Sequence, residues 1–198
     1  MTIKQMIKRV VKTVFLFIAA PLYLIFLTLT LVSQEDSVFQ GFSQALSLIP
    51  GKIGTYLRAA FYRLACPGTS DEISVGFLTI LSHRDTTIQK GVYIGPQCNI
   101  GKCIICENTL LGSGVHILSG NKQHSFRDIN IPIQQQGGVY RKVKIECDCW
   151  IGNASIIMSD INKRSIIASG SIITKALVET DGIYAGQPAK LVRKRTDI

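Results

Sequence analysis

Three histidines are the side chains best suited to move protons near neutral pH: His83, His116 and His124. Imidazole can serve as a general base, and three imidazoles can also form an open catalytic zinc site. An isolated histidine in a loop is more often an ordinary surface residue. The histidines alone therefore do not distinguish a general base from a zinc site.

Six cysteines are a second group that could do chemistry: Cys66, Cys98, Cys103, Cys106, Cys147 and Cys149. The Cys103-x-x-Cys106 and Cys147-x-Cys149 spacings are compatible with zinc. However, Cys98 and Cys149 fall where the repeat described below places a small inward side chain, and a free thiol behaves as a small apolar group. We therefore predict core cysteines, with no metal and no disulfide framework.

Positive charge is in excess, with a formal net charge of +9. The basic residues cluster at Lys4, Lys8, Arg9 and Lys12, at Lys52, Arg58 and Arg63, and at Lys190, Arg193, Lys194 and Arg195. The N-terminal clusters flank apolar segments, which suits an anionic lipid surface. The C-terminal cluster suits a phosphate group, and no nucleic-acid recognition motif accompanies it. We therefore expect membrane lipids as partners and no nucleic acid.

From about Ile73, aliphatic residues recur every six positions within each run, with a slip in register after Ile100, a loop after Ile117 and another slip after Ile151. They are Ile88, Ile94, Ile100, Ile105, Leu111, Ile117, Ile145, Ile151, Ile161, Ile167 and Ile173. Four positions later there is usually a small or β-branched residue: Val92, Cys98, Thr109, Val115, Cys149, Ser155, Ser165 and Ser171. This period is neither that of a helix nor that of a half-buried strand, and it is typical of a parallel β-helix.

Each triangular coil of such a β-helix takes three hexads, and stacking of the coils creates the core. Glycine often follows the aliphatic residue, as at Gly95 and Gly152, and we expect it to supply a turn conformation that other residues resist. A β-sandwich would instead need alternating strands and hairpin turns. The stretch Ser119–Lys142 interrupts the repeat and is predicted to leave the coil as a loop.

The N-terminal segment Thr13–Val32 has no charge and is about 20 residues long, enough to cross a membrane as a helix. Basic residues precede it and acidic residues follow, which places the N-terminus in the cytoplasm. One full crossing would then put the remaining chain outside. Because Pro21 can kink or break a helix, we predict a re-entrant or in-plane element that keeps the chain cytoplasmic. A spanning helix with a proline kink stays open.

Apolar residues at three- and four-residue spacing predict amphipathic helices within Ser37–Ala65, with a break at Pro50-Gly51. They suit either packing on the following domain or a position on the membrane surface. We therefore divide the chain into a membrane segment (1–36), an amphipathic helical region (37–72) and a β-helix domain (73–198).

Several motifs of the repeat region resemble the hexapeptide-repeat acyltransferases. They are the hexads together with Trp150-Ile151-Gly152-Asn153-Ala154, Ala168-Ser169-Gly170-Ser171-Ile172-Ile173-Thr174-Lys175 and Ala185-Gly186-Gln187-Pro188-Ala189-Lys190. The resemblance covers about Ile73 to Arg195 and is nearest to the maltose/galactoside acetyltransferase-like and polysaccharide O-acetyltransferase branches. Asn162 stands where the family usually has glycine, and Ser169 where it usually has alanine. The resemblance implies an all-β left-handed β-helix that uses acetyl-CoA.

The resemblance also implies roles for individual residues. His124, in the loop, matches the family's general base, and Asp128 or Glu107 is a candidate to orient its imidazole. The positions matched to coenzyme A binding are Ala154, Ser169, Thr174 and Lys175, with Lys190 and Arg193 for the adenosine phosphates. We expect direct transfer without an acyl-enzyme, and a homotrimer that covers exposed apolar faces.

The resulting hypothesis is a membrane-associated O-acetyltransferase on the cytoplasmic face of a bacterial-type inner membrane. Its acceptor would be a sugar hydroxyl of a lipid-linked or cell-surface polysaccharide precursor, because a soluble acceptor requires no anchor. Two alternatives remain at this point. One is a zinc enzyme resembling the γ-class carbonic anhydrases, and the other is a non-catalytic β-helix scaffold.

Overall fold

Three α-helices precede the β-region in the computed structural model, which describes residues 2–197. They are α1 (Ile3–Thr30), α2 (Glu35–Ser47) and α3 (Gly51–Ala65). A capping box begins α1, since the Thr2 hydroxyl accepts from the Gln5 N–H while the Gln5 side chain accepts from the Thr2 N–H. By length and composition, α1 is the one helix among the described residues that could cross a membrane.

Pro21 does not interrupt α1. The helix continues through it to Thr30, and Pro21 lies on the exposed side of the helix. A proline removes only one intrahelical hydrogen bond and need not end a helix that its neighbours support. The predicted break at Pro21 is therefore wrong, and a re-entrant turn at this position has no structural basis.

The strands are short and follow the predicted hexads. They are β1 (Ser74–Val75), β2 (Ile80–Leu81), β3 (Thr87–Ile88), β4 (Tyr93–Ile94), β5 (Asn99–Ile100), β6 (Cys103–Ile105), β7 (Leu110–Leu111), β8 (His116–Ile117), β9 (Val143–Ile145), β10 (Trp150–Ile151), β11 (Ile156–Ile157), β12 (Ile166–Ile167), β13 (Ile172–Ile173), β14 (Gly182–Gly186) and β15 (Ala189–Lys194). Short 3₁₀ turns occupy Ile133–Gln135 and Arg195–Asp197.

The strands stack into three parallel sheets that form the sides of a prism. Sheet one has the order β1-β4-β7-β10-β12-β14-β15, sheet two β13-β11-β8-β5-β2 and sheet three β3-β6-β9. Among the strands of residues 2–197, the final β14–β15 pair is the antiparallel one, and this hairpin closes the C-terminal end of the stack. Parallel sheets with a six-residue period fit a left-handed β-helix.

The predicted inward positions form the core of this prism. The eleven aliphatic residues of the hexad pattern are each at most 2% exposed, and Cys98 and Cys149 are buried among them at 2%. All six cysteines are free. The interpretation of Cys98 and Cys149 as small core residues is therefore confirmed.

The prediction that the repeat glycines supply a special turn conformation is wrong. Left-handed backbone occurs two residues later in the same corner, at residues such as Gln97 (φ 60°) and Ala154 (φ 55°), and not at Gly95 or Gly152. These glycines are required by close approach, because a Cβ on Gly152 would lie 2.5 Å from the Ser169 backbone nitrogen of the next coil. The glycines therefore allow tight stacking of the coils.

Arg58 fixes the helices to the first coil. Its side chain is fully buried and donates to the carbonyl oxygens of Val75 (3.0 Å), Leu46 (2.9 Å) and Ile49 (2.8 Å). Val75 belongs to β1, and Leu46 to α2. One guanidinium on α3 therefore connects the helical region with the β-helix.

Candidate active site

The predicted loop leaves the prism between β8 and β9, at the corner between sheets two and three. Its two arms run antiparallel and are joined by three backbone hydrogen bonds. These link the N–H groups of Arg141, Val139 and Ser125 to the carbonyl groups of Ser119, Lys122 and Gly137, each at 2.8 Å. The first arm carries His124 and is therefore held at a defined distance from the coil.

Ion pairs fix the base of this loop to the neighbouring coils. Lys142 pairs with Asp85 at 2.6 Å, and Arg141 pairs with Asp160 at 2.7 Å. Burial alone would raise the pKa of the Asp85 carboxyl, but hydrogen bonds from Lys142 and Lys102 hold it below its usual range. The carboxylate thus remains charged, and the attachment persists, at neutral and mildly acidic pH.

His124 is exposed and lines an open cavity of about 430 Å³. Lys122, Phe126 and Val139 also contribute to its wall. Among the described residues, no carboxylate hydrogen bonds to the imidazole. Asp128 accepts instead from the Asn130 N–H at 2.9 Å, so the structure does not bring it to His124 as an orienting group.

Glu107, the other candidate to orient His124, lies at a different corner. It follows β6 and precedes β7, where sheet three turns into sheet one. The loop leaves at the corner between sheets two and three. Glu107 is therefore not positioned by the fold to orient the imidazole of His124.

A second cavity, of about 240 Å³, lies beside the first arm and contains the other two histidines. His116 points outward from sheet two, next to Asn99 in the neighbouring strand. The His83 Nδ1 atom lies 3.0 Å from the Ser82 hydroxyl oxygen. Gln123, which precedes His124, completes the wall. Sequence reasoning gave these residues no joint role, although aligning the hexads by coil would have paired Asn99 with His116.

The residues predicted for coenzyme A lie at the two edges of sheet two and on the final hairpin. Ala154 and Ser169 are on adjacent coils at the corner between sheets one and two, where the Gly170 N–H donates to the Asn153 carbonyl at 2.8 Å. Thr174 and Lys175 follow β13 at the opposite edge. Because one hexad separates Ser169 from Thr174, these edges are at most about 17 Å apart.

The loop and the hairpin each contact this surface. Asn121 donates from its side-chain amide to the Thr174 carbonyl at 3.2 Å, which brings the arm of His124 to the edge that carries Thr174. At the other edge, Gln187 donates to the Gly170 carbonyl at 2.7 Å. The fold thus brings the loop next to Thr174, and the hairpin next to the corner of Ser169.

Lys190 and Arg193 are exposed on β15. With Lys175 they form no ion pair with any carboxylate of residues 2–197. Exposed cations that no protein carboxylate neutralises are suited to the phosphates of a nucleotide. The residues present therefore fit a phosphate-bearing, elongated cosubstrate along sheet two.

The donor atoms of the three histidines do not come together within residues 2–197 of one chain. Within residues 2–197, the group of three or more metal-ligating side chains whose donor atoms come together is Cys106, Glu146 and Cys147. Glu146 in that group already pairs with Lys144 at 2.5 Å. A three-histidine zinc site of the γ-carbonic-anhydrase kind is therefore not formed within residues 2–197 of one chain.

Gly138 controls the separation of the loop arms, because a Cβ at this position would lie 1.8 Å from the Gln123 carbonyl oxygen. We expect Gly138→Ala to separate the arms and displace His124. A misplacement of about 1 Å at a reacting group costs on the order of 10²-fold in rate. The melting temperature should change little, since the core lies elsewhere.

The control is Gly41→Ala, where a Cβ meets nothing within 4 Å. Full activity in Gly138→Ala would contradict the positioning of His124 by this loop.

No family model matches the chain. A probable acetyltransferase of Mycobacterium tuberculosis is 30% identical over 73 residues, or 36% of this chain. The matched part is 24% of that protein, so the chain spans about a quarter of the curated relative it matches.

Solved structures resemble the chain over most of its length. A maltose O-acetyltransferase from Clostridium difficile 630 has a TM-score of 0.68 at 19% identity, covering 82% of this chain and 89% of that one. A hexapeptide-repeat-containing acetyltransferase from Vibrio cholerae, complexed with acetyl coenzyme A, has 0.58 at 20%, covering 82% and 90%. An N-acyltransferase from Bacillus cereus, in complex with dTDP and 3-hydroxybutyryl-CoA, has 0.52 at 18%, covering 65% and 71%. The likeness confirms that the chain has the β-helix fold of the hexapeptide-repeat acyltransferases.

Proposed function

We propose that this chain is an acetyl-CoA-dependent O-acyltransferase that acetylates a sugar hydroxyl. The observation that carries the proposal is the His124 imidazole, which is exposed on an organised loop whose arm hydrogen bonds to Thr174. The relatives in fold include a maltose O-acetyltransferase and an acetyltransferase complexed with acetyl-CoA, which support the same reaction class.

In the proposed reaction, His124 accepts the proton of the acceptor hydroxyl as its oxygen attacks the thioester carbonyl carbon. The carbon–sulfur bond then breaks, and the imidazolium returns the proton to the departing thiolate. Donor and acceptor are present together, so no acyl-enzyme forms. Ala154, Ser169, Thr174 and Lys175 would hold the pantetheine arm, and Lys190 with Arg193 the phosphates.

We also propose a homotrimer. Outward residues of sheet one form an exposed apolar stripe of Tyr93 (44%), Leu110 (43%) and Trp150 (54%), and the loop exposes Phe126 (74%) and Ile129 (94%). Apolar side chains in such continuous patches favour contact with another protein surface. Copies of this chain would cover these patches and enclose the loop that carries His124.

We further propose that α1 lies in the plane of the membrane, on its cytoplasmic side. One face of α1 packs on α2 and α3, with Phe26 fully buried and the Phe15 ring stacked on Tyr56 at 5.3 Å. The opposite face exposes Val14 (49%), Phe17 (75%) and Leu24 (61%). A helix that packs along one side on the rest of its chain suits the membrane interface better than a single transmembrane span.

This orientation is also compatible with acetyl-CoA as the acyl donor. An in-plane helix leaves the β-helix on the cytoplasmic side with the N-terminus, where acetyl-CoA is available. The acceptor would then be a sugar carried by a membrane lipid, such as a polysaccharide precursor. A soluble sugar would need neither α1 nor its apolar face.

The experiment is release of free thiol from acetyl-CoA by the full chain in detergent, with two forms of one glycan as acceptors. We expect acceptor-dependent release with the lipid-linked glycan and a lower rate with the glycan cleaved from its lipid. Faster release with the soluble form would contradict the lipid-linked acceptor. No release and no coenzyme A binding would instead favour a scaffold without catalytic activity.

A further inference from the structure

The two cysteine motifs of the sequence meet at one corner of the β-helix. Cys103-x-x-Cys106 contains β6, and Cys147-x-Cys149 follows β9, the strand that pairs with β6 in the next coil of sheet three. Cys103 and Cys149 are buried in the core, at 0% and 2% exposure. Cys106 and Cys147 instead lie beside each other on adjacent coils. Neither motif alone predicted zinc, but the fold brings together one cysteine from each.

Glu146 completes a cluster of three potential ligands with Cys106 and Cys147, here named the thiol cluster. The two Sγ atoms and a carboxylate oxygen of Glu146 all lie within 4.8 Å of one another. Cys106 is 5% exposed, the Glu146 side chain is 33% exposed, and Cys147 is partly buried. The cluster therefore has one potential ligand in the protein interior and two that solvent reaches.

The donor atoms and their spacing fit a zinc ion. Thiolate and carboxylate ligands lie about 2.3 Å and about 2.0–2.2 Å from zinc, whereas Mg²⁺ and Ca²⁺ prefer oxygen ligands alone. Two such ligands of a tetrahedral zinc are about 3.5–3.8 Å apart, so the separations of at most 4.8 Å need to close by no more than about 1.3 Å. Three protein ligands leave a fourth position for water.

Lys144 sits beside the thiol cluster and pairs with Glu146 Oε1 at 2.5 Å. A carboxylate has two oxygens, so Glu146 can keep Lys144 on one and bind a cation through the other. Burial, followed by the neighbouring Cys147 and Glu146, raises the pKa of the Cys106 thiol to about 11. Zinc binding therefore releases the Cys106 proton to solvent at neutral pH. A divalent cation and Lys144 together offset the charge of two thiolates and one carboxylate.

We propose that the thiol cluster binds a zinc ion that joins the coils before and after the loop of His124. Cys106 precedes the loop in the chain and Cys147 follows it, with Ser119–Lys142 between them. An ion bound by both cysteines would hold β9, the first strand after the loop, on β6. It would act on the fold and not on acetyl transfer, because the cluster lies at the corner between sheets three and one, away from the corner where the loop leaves.

The experiment measures zinc bound by the full chain in detergent, prepared without a metal-binding tag and with a phosphine reductant. Cys106→Ala and Cys147→Ala remove proposed ligands, whereas the controls Cys103→Ala and Cys149→Ala remove the other thiol of each motif. Competition with a chromophoric chelator gives the zinc affinity. We expect one zinc per chain in wild type and in both controls. Each ligand variant should lose at least about 10²-fold in affinity, because even groups that only orient a ligand contribute about 10–100-fold.

Two further measurements keep the proposal testable if a cysteine variant folds poorly. Cobalt bound by thiolates absorbs in the near ultraviolet by charge transfer, and we expect this band in wild type. Glu146→Gln leaves both thiols in place, so it should keep the band and lose about tenfold or more in zinc affinity. Because an ion bound only by the folded chain stabilises it, zinc should raise the melting temperature of wild type and of Cys103→Ala, and not that of Cys147→Ala.

Three results would overturn the site. The first is wild type that binds no zinc and shows no thiolate-to-cobalt band. The second is an equal zinc affinity in all four cysteine variants, which would mean adventitious binding elsewhere. The third is a Cys106–Cys147 disulfide, found by mass spectrometry of protein prepared without reductant, together with no zinc bound by the reduced chain. That result would assign the pair to thiol–disulfide exchange.

Discussion

Replacing His124 with glutamine is expected to reduce acetyl transfer by about 10²–10⁴-fold, the usual contribution of a general base. Glutamine is similar in size but cannot accept the hydroxyl proton. Because His124 is exposed on the loop and supports no core packing, the melting temperature and the affinity for coenzyme A should remain unchanged. Initial rates of thiol release, with calorimetry for coenzyme A, measure both quantities.

The other two histidines provide matched controls. His83 and His116 line the neighbouring cavity, so His83→Gln and His116→Gln remove imidazoles from the same surface. We expect each to retain most of the activity, since neither lies on the loop arm. If His116→Gln abolishes transfer while His124→Gln remains active, the base is His116 and the assignment to the loop is wrong.

Replacing Arg58 with methionine is expected to lower the free energy of unfolding by about 3–5 kcal/mol. Methionine keeps much of the apolar stem but removes the donor to the Val75, Leu46 and Ile49 carbonyls. The Leu46 carbonyl retains the Ile49 N–H at 3.3 Å, so the loss falls mainly on the other two. Each buried acceptor that loses its partner costs roughly 1–3 kcal/mol. Chemical denaturation of the full chain in detergent measures the loss.

Arg63→Met is the control for this substitution. Arg63 lies on the same helix and donates one hydrogen bond, to the Thr69 carbonyl at 3.1 Å. We expect a loss near 1 kcal/mol, the typical net value of one such bond. Equal losses in the two variants would mean that Arg58 does not hold the helices on the first coil in the way its contacts indicate.

The β-helix could be predicted in detail because its core is periodic. A six-residue pattern specifies which side chains face inward, and Ile94, Leu111 and Ile151 occupy the predicted inward positions. The purpose of the glycines could not be predicted in the same way. Close approach of Gly152 to Ser169 is a contact between coils, whereas the sequence pattern shows only residues along one coil.

The structure of the N-terminal region was harder to predict from residue propensities. Pro21 is a helix breaker by its own chemistry, yet α1 continues because α2 and α3 support it along one face. Local propensity is a weak guide wherever tertiary packing supplies the stability. The same packing creates a cavity lined by Lys8, Lys12 and Lys52, whose residues come from two helices and the first coils.

The candidate site could be predicted only in part. A family motif singled out His124, and the structure places it on an organised arm beside Thr174. The cavity that joins His83, Asn99 and His116 depends on the path of the loop, since Gln123 closes its wall. A loop without a repeat has no sequence period from which that path could be derived.

The most direct measurement of the central claim is transfer of a labelled acetyl group from acetyl-CoA to a lipid-linked glycan, with wild type and His124→Gln side by side. We predict labelled glycan with wild type, released by hydroxylamine as expected for an oxygen ester, and a loss of at least about 10²-fold in the variant. Equal labelling by the two proteins would contradict the role of His124. Absence of labelled glycan with wild type, under conditions where coenzyme A binds, would contradict the proposed acceptor class.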